Sequence, residues 1–347
     1  MAASSALARR VTVVGATSWG ATLALLLVRK GLRPRLLVRD EEEAAQLRLE
    51  RRLRGRLPEL SLPPEVEISA SADCLGQADM VILSVPAQSM RRNLARIQPH
   101  LSPHSIIVSA AKGLEIGSGL RMSQVIGEQL GAERAPNVCA LSGPNLAHEI
   151  VRGLPATSVL ACPDRAVAER AQEILMAPGF RVYTHTDLVG VELAGSLKNI
   201  VALGAGMCDG LSYGLNAKAA FITRGIAEIT RLGLAAGAKP LTFAGLAGLG
   251  DLLTTCYSPH SRNRYAGQEF ARGRPLDDIL KGLSQAVEGI TTTIAARELA
   301  ARLGVEMPIT EHTYRVLFEG EPFAAAVEAL MEREPKRESQ GLVSETA

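Results

Sequence analysis

Residues 10–15, RVTVVG, run a β-branched segment straight into a glycine, and the residues after the turn, 19–30, are apolar and alanine-rich up to Gly31. A strand that opens through a glycine turn into a helix predicts the first half of a β-α-β unit. Residues 34–38, PRLLV, supply the next strand. Further short apolar runs follow at 80–85 (MVILSV) and 105–109 (SIIVS), bounded by Pro86 and Pro103, with more candidates at 137–141 and 157–160. Helical stretches lie between them. In EEEAAQLRLERRLR, from Glu41, acids lead and arginines trail, which suits the helix dipole. Strands alternating with helices predict an α/β fold with a doubly wound parallel sheet.

The pattern changes after about Asp187. Long helical stretches broken by glycine take over, and β-branched clusters thin out. The expected organisation is an α/β domain over 9–188, an all-helical domain over 189–334, and a polar, disordered tail over 335–347. The opening MAASSALARR lacks the apolar core of a targeting segment and reads as a frayed end.

Composition excludes several classes. Of 347 residues, 47% are hydrophobic and 21% charged, as in ordinary globular proteins. A net charge of +2 gives no reason to expect nucleic acid, and 3% aromatics leaves few stacking platforms. Five cysteines without a CxxC pair argue for reduced thiols in the cytoplasm and against zinc or disulfides. No uninterrupted apolar run reaches the length of a membrane span.

Gly15-Ala16-Thr17-Ser18-Trp19-Gly20 stands where a G-x-G-x-x-G dinucleotide fingerprint belongs, with Thr17 at its second glycine. A side chain there is expected to crowd the pyrophosphate, and a plain strand-to-helix turn explains the glycines as well. The second strand ends at Arg39-Asp40. An acid favours the ribose diol of NAD and an arginine tolerates the 2′-phosphate of NADP, so both cofactors stay open.

Lys198 lies in GVELAGSLKNIVALGAG. Its neighbours at three and four residues are Ala194, Gly195, Val201 and Ala202, so the lysine emerges from a small apolar helix face. Burial there lowers an amine's pKa and allows proton exchange near neutrality. A side chain snorkelling to water fits the spacing equally. Lys198 and Lys112 are two of only seven lysines. Lys112 follows a predicted strand, at the carboxyl edge where ligands gather, although a lysine before glycine also suits a turn. Asp251 ends a glycine-rich approach to a helix, as a cap or as a holder of a charged lysine. Ser261-Arg262-Asn263, with Arg264 beside it, reads on its own as an exposed arginine-rich loop.

Several blocks in order, SGPNLAHE (142–149), AKGLE (111–115), GSLKN (195–199), DGL (209–211), NAKAAFITRG (216–225), GLAGLGDLLTTC (245–256), SRNR (261–264) and EGITT (288–292), resemble the NAD(P)-dependent glycerol-3-phosphate dehydrogenases of the bacterial type. The likeness runs from about Val11 to about Arg333. It implies a Rossmann-type domain followed by an all-helical one, NAD or NADP as cofactor, and reduction of dihydroxyacetone phosphate to sn-glycerol 3-phosphate for phospholipid synthesis. It also implies Lys198 as the catalytic proton donor. Substrate contacts carry over to Lys112, Gly143, Asn145, Lys198, Asn199, Asp251, Ser261, Arg262 and Asn263. Cofactor contacts carry over to Gly15, Ser18, Trp19, Gly20, Arg39, Lys112, Ala147, Arg262 and Glu288. A homodimer is consistent with the family. Thr17, Leu215 and Asn145 depart from the usual pattern. Competing readings are a ketopantoate-type reductase and a nucleotide-binding regulator that has lost catalysis through Thr17.

Overall fold

In the computed structural model, residues 9–283 and 285–335 are described; the opening residues 1–8, Ser284 and, of the tail expected over 335–347, all but Pro335 lie outside them. The chain groups into two units.

The first unit holds residues up to Ala111 together with Met122–Leu188. Its strands are β1 (Val11–Val14), β2 (Arg35–Leu37), β3 (Glu67–Ser69), β4 (Met80–Leu83), β5 (Ile106–Ser109), β6 (Val138–Ser142), β7 (Ala156–Ala161) and β8 (Phe180–His185). The helices between them are α1 (Ser18–Arg29), α2 (Glu41–Glu50), α3 (Met90–Ile97), α4 (Met122–Leu130), α5 (Ala147–Val151) and α6 (Arg165–Leu175). The strands form one sheet in the order β3-β2-β1-β4-β5-β6-β7-β8, parallel except where β6 meets β7. Order reverses between β1 and β4, paired Val11 to Met80 through Val14 to Leu83. Such a switch point is where doubly wound sheets bind ligands. Strands β1, β4 and β5 are buried throughout, as expected of apolar runs covered by helices on both faces.

Two strands are not evident from the apolar runs. β3 is three residues long. β8 alternates, with Phe180 and Val182 buried while Arg181 and Tyr183 face out, as on a sheet edge.

The second unit is helical. It comprises α7 (Leu188–Gly210), α8 (Gly214–Ala235), α9 (Pro240–Ala244), α10 (Asp251–Tyr257), α11 (Arg262–Ala271), α12 (Leu276–Lys281), α13 (Glu288–Leu303), α14 (Pro308–Phe318) and α15 (Phe323–Met331). α7 is long and apolar enough to cross a membrane by length and composition, but 83% of its most apolar window is buried. It is the core helix of this unit, with Leu193, Leu197, Ile200 and Val201 in the main cluster.

Glycines let α7 touch α11 backbone to backbone. A Cβ on Gly206 would stand 2.0 Å from the Arg264 carbonyl, and one on Gly267 2.0 Å from that of Leu203. Segment 112–121, counted with the first domain on sequence grounds, groups with the helical unit. Leu114 is buried in its core, Gly117 N donates to Glu298 at 3.0 Å, and Arg121 pairs with the buried Glu192.

Candidate active site

The fully buried face of α7 carries Lys198, only 5% exposed, into the helical unit. Its Nζ donates to Asp251 Oδ1 at 2.6 Å and to Thr255 Oγ1. Lys112 Nζ donates to the other oxygen, Oδ2, at 2.6 Å. One buried carboxylate, 2% exposed, thus joins two lysines 86 positions apart in the chain.

Asp251 reaches this place because of the turn before it. Residues Leu246–Gly250 form a π-helical turn in which a Cβ on Gly248 would lie 2.1 Å from the Phe243 carbonyl. A wide turn of this kind often marks a functional position. Asp251 makes no capping bond to its own helix; Gly250 is the cap residue and has no side chain to give. Holding lysine is therefore the reading the geometry supports. Thr255, one turn on, donates its hydroxyl proton to Asp251 O at 2.7 Å and turns a lone pair toward Lys198. Two of the three N–H groups of Lys198 are thus used by these side chains.

Burial lowers the Lys198 pKa to about 8; Asp251 opposes this and the nearby Lys112 adds to it. The snorkelling alternative fails, since the ammonium ends inside the unit. An amine held near neutrality can both give and take a proton.

A second network lies on the same helices. Asn263 Nδ2 donates to Asn199 Oδ1 at 2.9 Å, and Asn263 Oδ1 accepts from Gly289 N at 2.9 Å. This ties α11 to α7 and to the start of α13, where Glu288 is the first residue. Ser261 caps α11, its Oγ accepting from Arg264 N at 3.2 Å. Arg262 begins that helix and donates to Ala286 O at 2.5 Å. Asn199 and Asn263 are therefore brought together, and Ser261 has a local task of its own. Arg264 pairs with Asp209 at 2.6 Å, and Asp209 also takes Lys218 at 2.8 Å. The prominence of Lys218 among so few lysines hints at this cluster, but nothing in the spacing names Asp209. Thr255 was likewise not among the expected contacts, although its place four residues after Asp251 puts both on one face.

In the first unit, Gly15 has φ +104°, and a Cβ there would lie 2.5 Å from Ser84 O. A Cβ on Gly20 would lie 2.2 Å from Gly15 O. Both glycines are thus demanded by close packing of the turn at the sheet's switch point. Thr17 has φ −78°, so its backbone does not need glycine. Its Oγ1 accepts from Gly20 N at 3.0 Å and lies 3.1 Å from Ser84 O and 2.9 Å from Ser84 Oγ. The side chain folds back over the turn, which differs from the free obstruction expected from sequence. Ser18 and Trp19 open α1, and the Trp19 ring packs edge-on to Phe180 at 6.2 Å. These features fit a dinucleotide: a glycine cradle and a helix N-terminus at the switch point.

Arg39 is exposed and pairs with Asp40 at 3.0 Å, while Asp40 caps α2 through Glu43 N. The carboxylate expected to read the ribose thus serves the helix first. Gly143 has φ +141° and packs against Ser158. Asn145 is held by β7, donating to Thr157 O at 3.0 Å and standing 3.0 Å from Ser158 Oγ. Ala147 begins α5.

Comparison with known proteins agrees with these features. The family model for the N-terminus of NAD-dependent glycerol-3-phosphate dehydrogenase matches residues 10–168, and that for its C-terminus matches 187–328. A glycerol-3-phosphate dehydrogenase [NAD(P)+] of Dehalococcoides mccartyi is 48% identical over 334 residues, 96% of this chain and 93% of the relative. One from Chlorobium limicola is 46% identical over 329 residues, 94% of this chain and 99% of the relative. The crystal structure of glycerol-3-phosphate dehydrogenase from Coxiella burnetii superimposes with a TM-score of 0.88 at 34% identity, covering 94% of this chain and 99% of that one. The chain belongs to the NAD-dependent glycerol-3-phosphate dehydrogenase family.

Proposed function

We propose that this chain is an NAD(P)-dependent oxidoreductase that reduces dihydroxyacetone phosphate to sn-glycerol 3-phosphate, the glycerol backbone of phospholipids. The observation that carries the mechanism is the buried Asp251 carboxylate shared by Lys198 and Lys112. When bound, the dihydronicotinamide supplies a hydride to the ketone carbon. Charge then develops on the carbonyl oxygen, and a positioned acid must neutralise it.

Lys198 is that acid. With its pKa lowered to about 8, it is mostly protonated at pH 7 and releases its proton more readily than an ordinary lysine. In alcohol oxidation the neutral amine takes the proton back. Asp251 holds the ammonium in place, and Lys112 adds positive charge beside the developing oxyanion. We assign phosphate binding to Arg262 with Asn263, Asn199 and Ser261, since a guanidinium fork suits phosphate oxygens. Gly143 and Asn145 shape the substrate loop. From the family resemblance we assign cofactor contacts to Gly15, Ser18, Trp19, Gly20, Arg39, Lys112, Ala147, Arg262 and Glu288.

On this reading residues 9–188 are the dinucleotide domain and 189–334 the catalytic domain, with Lys112 delivered by the strap 112–121. The enzyme works in the cytoplasm as a homodimer, which sedimentation tests.

The activity is tested by following NADH and NADPH oxidation with dihydroxyacetone phosphate and, separately, with dihydroxyacetone. Turnover confined to the phosphorylated ketone supports the reading. Equal turnover of both ketones would remove the phosphate clamp from it.

A further inference from the structure

Thr17 is the one residue of the fingerprint turn that breaks the glycine pattern, and its hydroxyl is fully used. A hydroxyl has one proton to donate and two lone pairs to accept with. Thr17 Oγ1 can donate to Ser84 O at 3.1 Å while accepting from Ser84 Oγ at 2.9 Å and Gly20 N at 3.0 Å. Ser84 follows β4 and Thr17 follows β1, so these bonds cross the sheet's switch point. Gly15 and Gly20 pack on the same serine, with hypothetical Cβ atoms 2.5 Å from its carbonyl oxygen and 3.3 Å from its Cβ. Ser84 is thus the floor of the turn, and Thr17 is bolted to it.

We propose that Thr17 is a positioning residue for dinucleotide binding: its hydroxyl latches the β1–α1 turn to Ser84 and fixes the start of α1 before the cofactor arrives. The inference rests on the dehydrogenase reading and adds a residue the fingerprint does not contain. A glycine at this position satisfies the pattern but leaves the turn untethered. The turn must then be ordered when the dinucleotide binds, and that cost appears as weaker affinity. Thr17 makes this contribution through its neighbours; its hydroxyl has no bond left for phosphate.

The test compares wild type with Thr17→Gly, Thr17→Val and Thr17→Ser. Binding of NADH and NADPH is measured by titration calorimetry, and the melting temperature is measured without ligand. The latch requires Gly and Val to weaken dinucleotide binding about three- to tenfold, a conversion of about 0.7–1.4 kcal/mol. Both variants lower the ligand-free melting temperature, and Ser restores both quantities. At saturating dinucleotide, kcat and the KM for the ketone stay at wild-type values, a split that general loss of structure would not give. Tighter binding by Thr17→Gly, with Val equal to wild type, would overturn the latch and leave Thr17 as an obstruction. Failure of the dehydrogenase reading would look different: wild type itself would bind neither dinucleotide.

Discussion

Replacing Asp251 with asparagine removes one charge from between two ammonium groups. In the native protein Lys198 and Lys112 each donate to that carboxylate at 2.6 Å, and the carboxylate is buried. Removing one partner of a buried ion pair destabilises by about 3–5 kcal/mol. The effect on proton transfer is separable from this loss. Asp251 raises the Lys198 pKa against the lowering by burial. Without its charge the pKa falls below about 8. A unit charge about 4 Å away at an effective dielectric of about 20 is worth about 4 kcal/mol, or about three pH units, which sets the upper bound.

The assay is kcat/KM for ketone reduction between about pH 5.5 and 9.5 at saturating NADH, the range that brackets the break. Reduction needs the protonated amine, so the parent profile is flat at low pH and falls above about 8. Asp251→Asn is expected to move that break down by at least about one unit. The Cys256 thiol, pushed up to about 12 by burial, stays neutral throughout and does not confuse the profile. A break that stays in place or moves upward, in a folded variant, would refute Lys198 as the titrating acid.

Other substitutions probe the remaining parts. Asn263→Ala strips a partner from Asn199 Oδ1 and from Gly289 N; we expect a loss of about 2–4 kcal/mol in urea unfolding and a higher KM for dihydroxyacetone phosphate. Arg39→Ala is expected to cut kcat/KM with NADPH by about tenfold and to leave NADH less affected, because the exposed guanidinium is the group suited to a 2′-phosphate. Lys198→Met should remove a pH-dependent part of the stability: the parent gains stability between about pH 8 and 10.5, and the variant does not. The folded protein holds this lysine at about 8 against an ordinary 10.5, so folding expels its proton between those values. A charged Lys198 therefore costs about 3 kcal/mol at neutral pH, and the cost fades as pH rises from 8 toward 10.5. Calorimetry at pH 7 and at pH 9.5 checks the sign.

Much of the sheet was legible because buried parallel strands are short apolar runs: VTVV, MVIL and IIVS are each buried along their whole length. β8 escaped because half of its residues face out, and β3 because EIS, with Ile68 alone buried, is not an apolar run. The isolation of Lys198 on an apolar helix face was also readable, since helical spacing is local. That Lys112 shares its carboxylate was not, because the pairing depends on segment 112–121 joining the helical unit. The Asp209 cluster was hidden for the same reason: Lys218 lies nine residues from Asp209 and Arg264 fifty-five, and only packing of α7 on α11 brings them together. At Thr17 the sequence raised the right question. Only the direction of the hydroxyl, toward Ser84 and Gly20, supplies an answer.

The central claim is that Lys198 gives the proton to the ketone oxygen of dihydroxyacetone phosphate. It is tested most directly by assaying Lys198→Met for ketone-dependent NADH oxidation while measuring NADH binding on the same sample. The expected result is near-parental binding with kcat lower by about 10²–10⁴, the range for removal of a general acid. Turnover close to the parent, with binding intact, would contradict it and assign the proton to another group.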